Sequence, residues 1–269
     1  MEPATVQFLL DLNYRFYTDF GSSFAATRRR IQPGVRRVLA GLPDSPGDCW
    51  LDLGCGSGAL ALEWLRAGRQ SAYLGMDFSS TLLEEASKAV AALPNRQNVS
   101  FFPGSLAEPG WTARLGEIQH RPLAGMLCFA VLHHLPSCAL RRQVMRQAAG
   151  LLPGGGLFVY SVWQFQHSPR LMDRRASWEQ VGLDPAAVEP GDTLLDWRAV
   201  DADQSGQSVL RYVHLFDPDE LADLAQSTGF EVLETFESDG QGGRLGLYQV
   251  WRKLPESIGD IPTRFVNSV

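Results

Sequence analysis

The sequence predicts an α/β fold in which a mostly parallel sheet is covered by helices, and three observations carry that prediction. Short β-type runs alternate with helical patterns through the middle of the chain. A glycine-rich turn joins the first run to the first helix of that series. The last two runs, "EVLETF" and "RLGLYQVW", are separated only by the turn "ESDGQGG", so they pair as a hairpin and leave one antiparallel strand in the sheet.

The elements follow in order. The turn-rich "LPDSPGD" precedes the first strand, "CWLDL", and "ALALEWLRAG" has apolar residues at helical spacing with Gly68 as its stop. Strand "AYLGM", helix "STLLEEASKAVAAL", strand "VSFFPG" and strand "PLAGMLCFAVL" come next. A helix over "SCALRRQVMRQAAGLL" ends at "PGGG", before strand "LFVYSVW". From Gln164 to about Ser208 the alternation breaks. There "SPRLMDRRASWEQVGL" reads as a helix, and "EPGDTLLDW" and "DADQSGQS" read as turns, so residues 164–208 form an insertion folding over the sheet. Strand "VLRYVHLF" follows, and then helix "DPDELADLAQSTGF", with Asp217 as N-cap, Pro218 at its first position and Gly229 at its end. A single domain spanning 1–269, with an N-terminal helical cap over 1–45, accounts for this order.

Composition narrows the function classes. The 269 residues are 45% hydrophobic with a net charge of −6, which disfavours a broad electrostatic grip on nucleic acid. No run approaches the roughly 18 apolar residues of a membrane span, and "MEPATVQFLL" lacks the basic flank of a signal peptide. Cys49, Cys55, Cys128 and Cys138 show no CxxC spacing and read as reduced thiols in a cytoplasmic chain. Positive charge clusters in "ATRRRIQPGVRR", either as a solvated helix face or as a substrate patch.

"LDLGCGSG" is the most informative stretch. Gly54, Gly56 and Gly58 let the backbone turn tightly and approach a ligand, while Gly54, Gly56 and Ala59 also satisfy a dinucleotide fingerprint. Asp52 points instead to S-adenosylmethionine: it can accept from the ammonium of the methionine moiety, whereas beside a pyrophosphate it would be repelled. Asp77, ending the next strand, can accept from both ribose hydroxyls, and Phe78 can pack against adenine.

With "LDLGCGSG", "GMDFSS", "FFPGSL", "FAVLHHL" and "LLPGGGLFVY" in this order, the sequence resembles the class I S-adenosylmethionine-dependent methyltransferases. The resemblance implies a Rossmann-like, seven-stranded, mostly parallel sheet with the last strand antiparallel and helices on both faces. The cofactor-binding set is then Asp52, Gly54, Cys55, Gly56, Gly58, Asp77, Phe78, Ser105, Leu106 and Ala130. Ser105 stands where the family often has an acid on the adenine amino group.

A narrower resemblance, to the tRNA wobble-uridine carboxymethyl methyltransferases, rests on "SFAATRRRIQPGV", "FAVLHHLPS", "LLPGGGLFVYSVW", "GDTLLDW", "LRYVHLF" and "GLYQVW". It implies active-site roles for Arg28, His134, Trp163 and Arg211, a tRNA anticodon loop as partner, and a small activator subunit. A carboxylate acceptor needs no general base; arginine would orient it and Trp163 would stack on the exposed base. The alternatives are a small-molecule O-methyltransferase with the insertion as a lid, and a non-catalytic cofactor-binding regulatory subunit. His133 and His134 lack the cysteines or acids that complete a metal set. On an extended chain they would point to opposite sides, one facing the acceptor and the other packing, with His134 assigned to the acceptor.

Overall fold

The computed structural model describes residues 1–26, 30–118, 121–198 and 208–255. The chain opens on α1 (Pro3–Ala26) and α2 (Pro33–Gly41). It then alternates through β1 (Cys49–Leu53), α3 (Ala59–Arg66), β2 (Ala72–Asp77), α4 (Ser80–Val90), β3 (Val99–Pro103), α5 (Trp111–Ile118), β4 (Leu123–Phe129), α6 (Cys138–Leu151) and β5 (Leu157–Trp163). Next come α7 (Pro169–Met172), β6 (Arg175–Ala176), β7 (Asp192–Arg198) and β8 (Ser208–His214). The described chain closes with α8 (Pro218–Ser227), β9 (Phe230–Ser238) and β10 (Gly246–Lys253).

Seven strands form the main sheet in the order β3-β2-β1-β4-β5-β10-β9. β10 runs antiparallel to both of its neighbours, while the pairs from β3 through β5 are parallel. The inferred sheet, with its closing hairpin and one antiparallel strand, is therefore the observed one. β1 is buried along its whole length because both faces of the sheet are covered. Its alternation divides the core: Leu51 and Leu53 join one apolar cluster and Trp50 the other. Strand order reverses between β1 and β4, which is where open α/β sheets leave a crevice at their carboxyl ends.

The insertion differs from its sequence reading. Instead of a helix over 168–183, α7 stops at Met172 and β6 pairs with β7 through Arg175–Leu195 and Ala176–Leu194. Strand pairing outweighs local helix preference there, and Ser177 caps a separate short turn through the Glu179 N–H. "GDTLLDW", read as a turn, is mostly β7, because its Leu194 and Leu195 are fully buried. β6, β7 and β8 make a second, antiparallel sheet that runs on to His214. Of "DADQSGQS", residues 201–207 lie outside the described residues.

α1 lies on that second sheet. Phe16 meets Trp197 edge-on at 5.6 Å, and Asn13, buried in the stripe formed with Leu9, Phe16 and Phe20, bonds the Tyr212 backbone. The cap and the insertion thus close over the same end of the main sheet.

Candidate active site

A cavity of about 630 Å³ opens at the carboxyl end of the sheet, within the ~300–1,000 Å³ range of small-molecule sites. Its first half is built by the turn after β1, where Gly54, Gly56 and Gly58 all have positive φ (78°, 53° and 77°). They serve different ends. A Cβ on Gly54 would stand 2.4 Å from Val131 Cγ2, and one on Gly58 would stand 2.8 Å from Ala86 Cβ on α4. At Gly56 a Cβ would meet nothing within 4 Å. Gly54 therefore admits the loop after β4, Gly58 brings α3 against α4, and Gly56 keeps an opening.

Asp77 ends β2 beside this turn. Its carboxylate accepts from the Gly56 N–H at 2.8 Å and the Ser79 N–H at 2.9 Å. Burial pushes the carboxyl up from its ordinary value, and the N–H groups of Ser79, Gly56 and Phe78 pull the other way. The two oxygens keep acceptor capacity beyond these backbone bonds. Asp52 lies behind the wall, 4% exposed, and accepts from the Tyr73 hydroxyl. Burial raises its carboxyl to about 7.

The second half of the cavity gathers distant segments. β4 ends at Phe129, Ala130 takes φ 58°, and its N–H donates to the Ser161 carbonyl (3.0 Å) and hydroxyl (3.1 Å) on β5. This break turns residues 132–134 into a short 3₁₀ turn, so the two histidines do not sit on extended chain as expected. Their ring centroids are 4.3 Å apart. His133 is fully buried and stacks on Trp163 at 4.9 Å, and the Trp163 N–H donates to its Nδ1 at 3.3 Å. His134 lines the cavity, with Nε2 2.8 Å from the Tyr17 hydroxyl and Nδ1 3.1 Å from the Tyr212 carbonyl. Arg211 is buried behind this wall, its guanidinium 4.6 Å from the Trp163 ring centroid and interacting with Tyr17. Burial pushes that guanidinium below its usual range, which the Tyr17 contact opposes.

A buried charge cluster backs the second half. Arg141 donates to the Leu135 carbonyl, to Glu189 and to Glu220 at 3.1, 3.0 and 2.9 Å. His214 is bracketed by Asp192 at 2.7 Å and Glu220 at 2.8 Å. Burial alone would lower the His214 imidazole, but its bonds to the two carboxylates raise it above the ordinary histidine value.

Of the residues expected from sequence, the cavity wall brings together Gly54, Cys55, Gly56, Asp77, Phe78, Ser105, Leu106, Ala130, His134 and Trp163. Asp52, Gly58, His133 and Arg211 stand off that wall, and Arg28 lies outside the described residues. Glu108, three residues after Ser105, is a wall acid that sequence reasoning passed over. It also passed over Asn13, Tyr14 and Tyr17, which α1 adds to the wall. The available signal was Asn13, a polar residue in the apolar stripe Leu9, Phe16 and Phe20.

A family model described as a methyltransferase domain matches residues 24–235. A protein of Encephalitozoon cuniculi named as a methyltransferase is 26% identical over 227 residues, covering 82% of this chain and 88% of the relative. The mouse tRNA (carboxymethyluridine(34)-5-O)-methyltransferase is 27% identical over 154 residues, 57% of this chain but 20% of the relative's own length. A solved S-adenosylmethionine-dependent methyltransferase of Methanosarcina mazei is similar in fold, with TM-score 0.59 and 21% identity, covering 84% of this chain and 100% of that one. So is a chain in the complex between the Haloferax volcanii Trm112 methyltransferase activator and a methyltransferase, with TM-score 0.60, 16% identity and coverage of 91% and 99%.

Proposed function

The chain belongs to the methyltransferase family matched over residues 24–235 and works with S-adenosylmethionine, and from that premise we propose that it esterifies the carboxylate of a 5-carboxymethyluridine-type wobble base in tRNA. One observation carries the two-substrate reading: the cavity is continuous from the glycine turn and Asp77 to His134 and Trp163. The carboxymethyluridine acceptor draws on the similarity to the mouse enzyme of that name, and a Trm112-like activator subunit on the solved complex.

The residues of the first half fit the cofactor. The opening at Gly56 admits it, and Asp77, already oriented by two backbone N–H groups, accepts from ribose hydroxyls. Tyr14 and Tyr17, 5.5 and 6.0 Å from the Phe78 ring, extend an aromatic wall on the adenine side. S-adenosylmethionine, when bound, supplies an electrophilic methyl group on a sulfonium. The chain's task is then to hold the nucleophile in line and exclude water. Trp163 reaches the cavity beside His134 with its ring stacked on His133 and covered by Arg211, and the His134–Tyr17 pair borders the acceptor.

A second reading is O-methylation of a small hydroxylic metabolite. It is favoured by the Tyr17 hydroxyl bonded to His134 Nε2, through which an acceptor's proton can pass to the imidazole. Transfer of labelled methyl to total tRNA and to a metabolite extract separates the two. Label in tRNA that mild base releases as methanol is the ester expected here; base-stable label confined to the extract would replace it with the second reading.

A further inference from the structure

α1 lies almost wholly ahead of residue 24, where the family match begins, yet it supplies two polar groups to the acceptor end of the cavity. Asn13 and Tyr17 stand four residues apart, on one face of the helix. Asn13 behaves like a neighbouring strand. Its Oδ1 accepts from the Tyr212 N–H at 2.8 Å, and its amide group donates to the carbonyls of Tyr212 (3.1 Å) and His134 (3.2 Å). One turn later, the Tyr17 hydroxyl meets His134 Nε2 at 2.8 Å.

These contacts determine where the proton of neutral His134 sits. Nδ1 faces the Tyr212 carbonyl at 3.1 Å, and a carbonyl only accepts, so Nδ1 carries the hydrogen. The lone pair is then on Nε2, and the Tyr17 hydroxyl donates to it. Arg211 interacts electrostatically with the same phenol, which connects the buried cation to the cavity.

We infer that Tyr17 is a positioning residue for the acceptor: it fixes the ring orientation of His134 by occupying the Nε2 lone pair, while the Tyr212 carbonyl sets the Nδ1–H tautomer and Asn13 holds the same residue by its backbone. The inference rests on the reading that the acceptor enters beside His134, and it holds for an ester-forming or an ether-forming reaction. A helix outside the matched domain thereby decides which face of the imidazole the acceptor meets. Arg211 acts on the acceptor through Tyr17, consistent with its place behind the wall.

Long-range ¹H–¹⁵N spectra of the full chain test this without any acceptor, so failure to find labelled tRNA leaves the result intact. With His134 assigned through His134→Gln, the wild type should show a protonated Nδ1 and a hydrogen-bonded, unprotonated Nε2. Tyr17→Phe, which keeps the ring packing, should move the Nε2 resonance to the position of a free lone pair. A wild-type His134 protonated at Nε2, or an Nε2 resonance indifferent to Tyr17→Phe, overturns the inference. With any acceptor that turns over, Tyr17→Phe should lower kcat about 10- to 100-fold, and should cost nothing further in a His134→Gln background. Additive losses would mean that Tyr17 does not act through His134, and would equally overturn it.

Discussion

The two halves of the cavity are built on opposite principles. The cofactor half is local: residues 54–58 and 77–79 do the work with backbone geometry, three left-handed glycines and a carboxylate gripped by N–H groups. The acceptor half is assembled across the chain, with Tyr17 and His134 117 residues apart and Asn13 and Tyr212 199 apart. Side chains hold it together, and a buried charge cluster stands behind it. The first half is therefore sensitive to backbone change. The second is sensitive to the loss of a single polar side chain.

The largest break in that contrast should come from Arg141→Met. Removing the cation leaves Glu189 and Glu220 facing each other with no shared partner and frees the Leu135 carbonyl next to the histidine turn. A loss of about 3–5 kcal/mol is expected in urea denaturation. Folded Arg141→Met protein should lose acceptor turnover and keep its cofactor affinity; the reverse pattern would undo the separation of the halves.

Gly54→Ala tests the local half. Left-handed φ and a Cβ 2.4 Å from Val131 together should cost about 2–4 kcal/mol, read as a lowered midpoint of denaturation. Gly56→Ala, with open space for its Cβ, should cost only about 1–2 kcal/mol of strain while weakening cofactor binding. Equal stabilities for the two variants would contradict the distinct roles given to these glycines.

pH sharpens the comparison, because Asp52 and His214, both raised, lose stability for the fold as pH climbs over different ranges, whereas Glu220, lowered, loses it as pH falls. Asp52 has a folded-state value of about 7, far above its unfolded 3.8, so the unfolded chain gives up its proton first and folding loses stability as pH climbs from about 4 to 7. Asp52→Asn removes that loss, and its Tm should gain on wild type more at pH 8 than at pH 4.5. His214 is raised in the folded state, so the stability it lends is complete below the unfolded value and fades as pH rises through the folded one. Glu220 is lowered, and its contribution is present above the ordinary carboxylate range and fades in acid. His214→Gln should accordingly be most destabilising near pH 6 and least in the alkaline range. A pH-independent difference from wild type would mean that the imidazolium is not what the carboxylates hold.

The same contrast explains what the sequence disclosed. The main sheet was legible because each strand is a buried apolar run bounded by turn residues, and the hairpin because "ESDGQGG" leaves no room for a crossover helix. Gly54, Gly56 and Asp77 were legible because their geometry is set by near neighbours. The insertion misled because β6, β7 and β8 form only against one another. His133 and His134 misled because Ala130 breaks the strand through contacts to Ser161, thirty-one residues away. Tyr17 gave no local signal at all, since its significance lies in His134 and Arg211.

We place the S-adenosylmethionine site at Asp77 and the glycine turn, and a calorimetric titration of the cofactor decides between this placement and another. One site per wild-type chain is expected, with affinity reduced on the order of 100-fold in Asp77→Ala, where two charge-assisted hydrogen bonds to ribose are lost. Equal affinity in Asp77→Ala and wild type would contradict it.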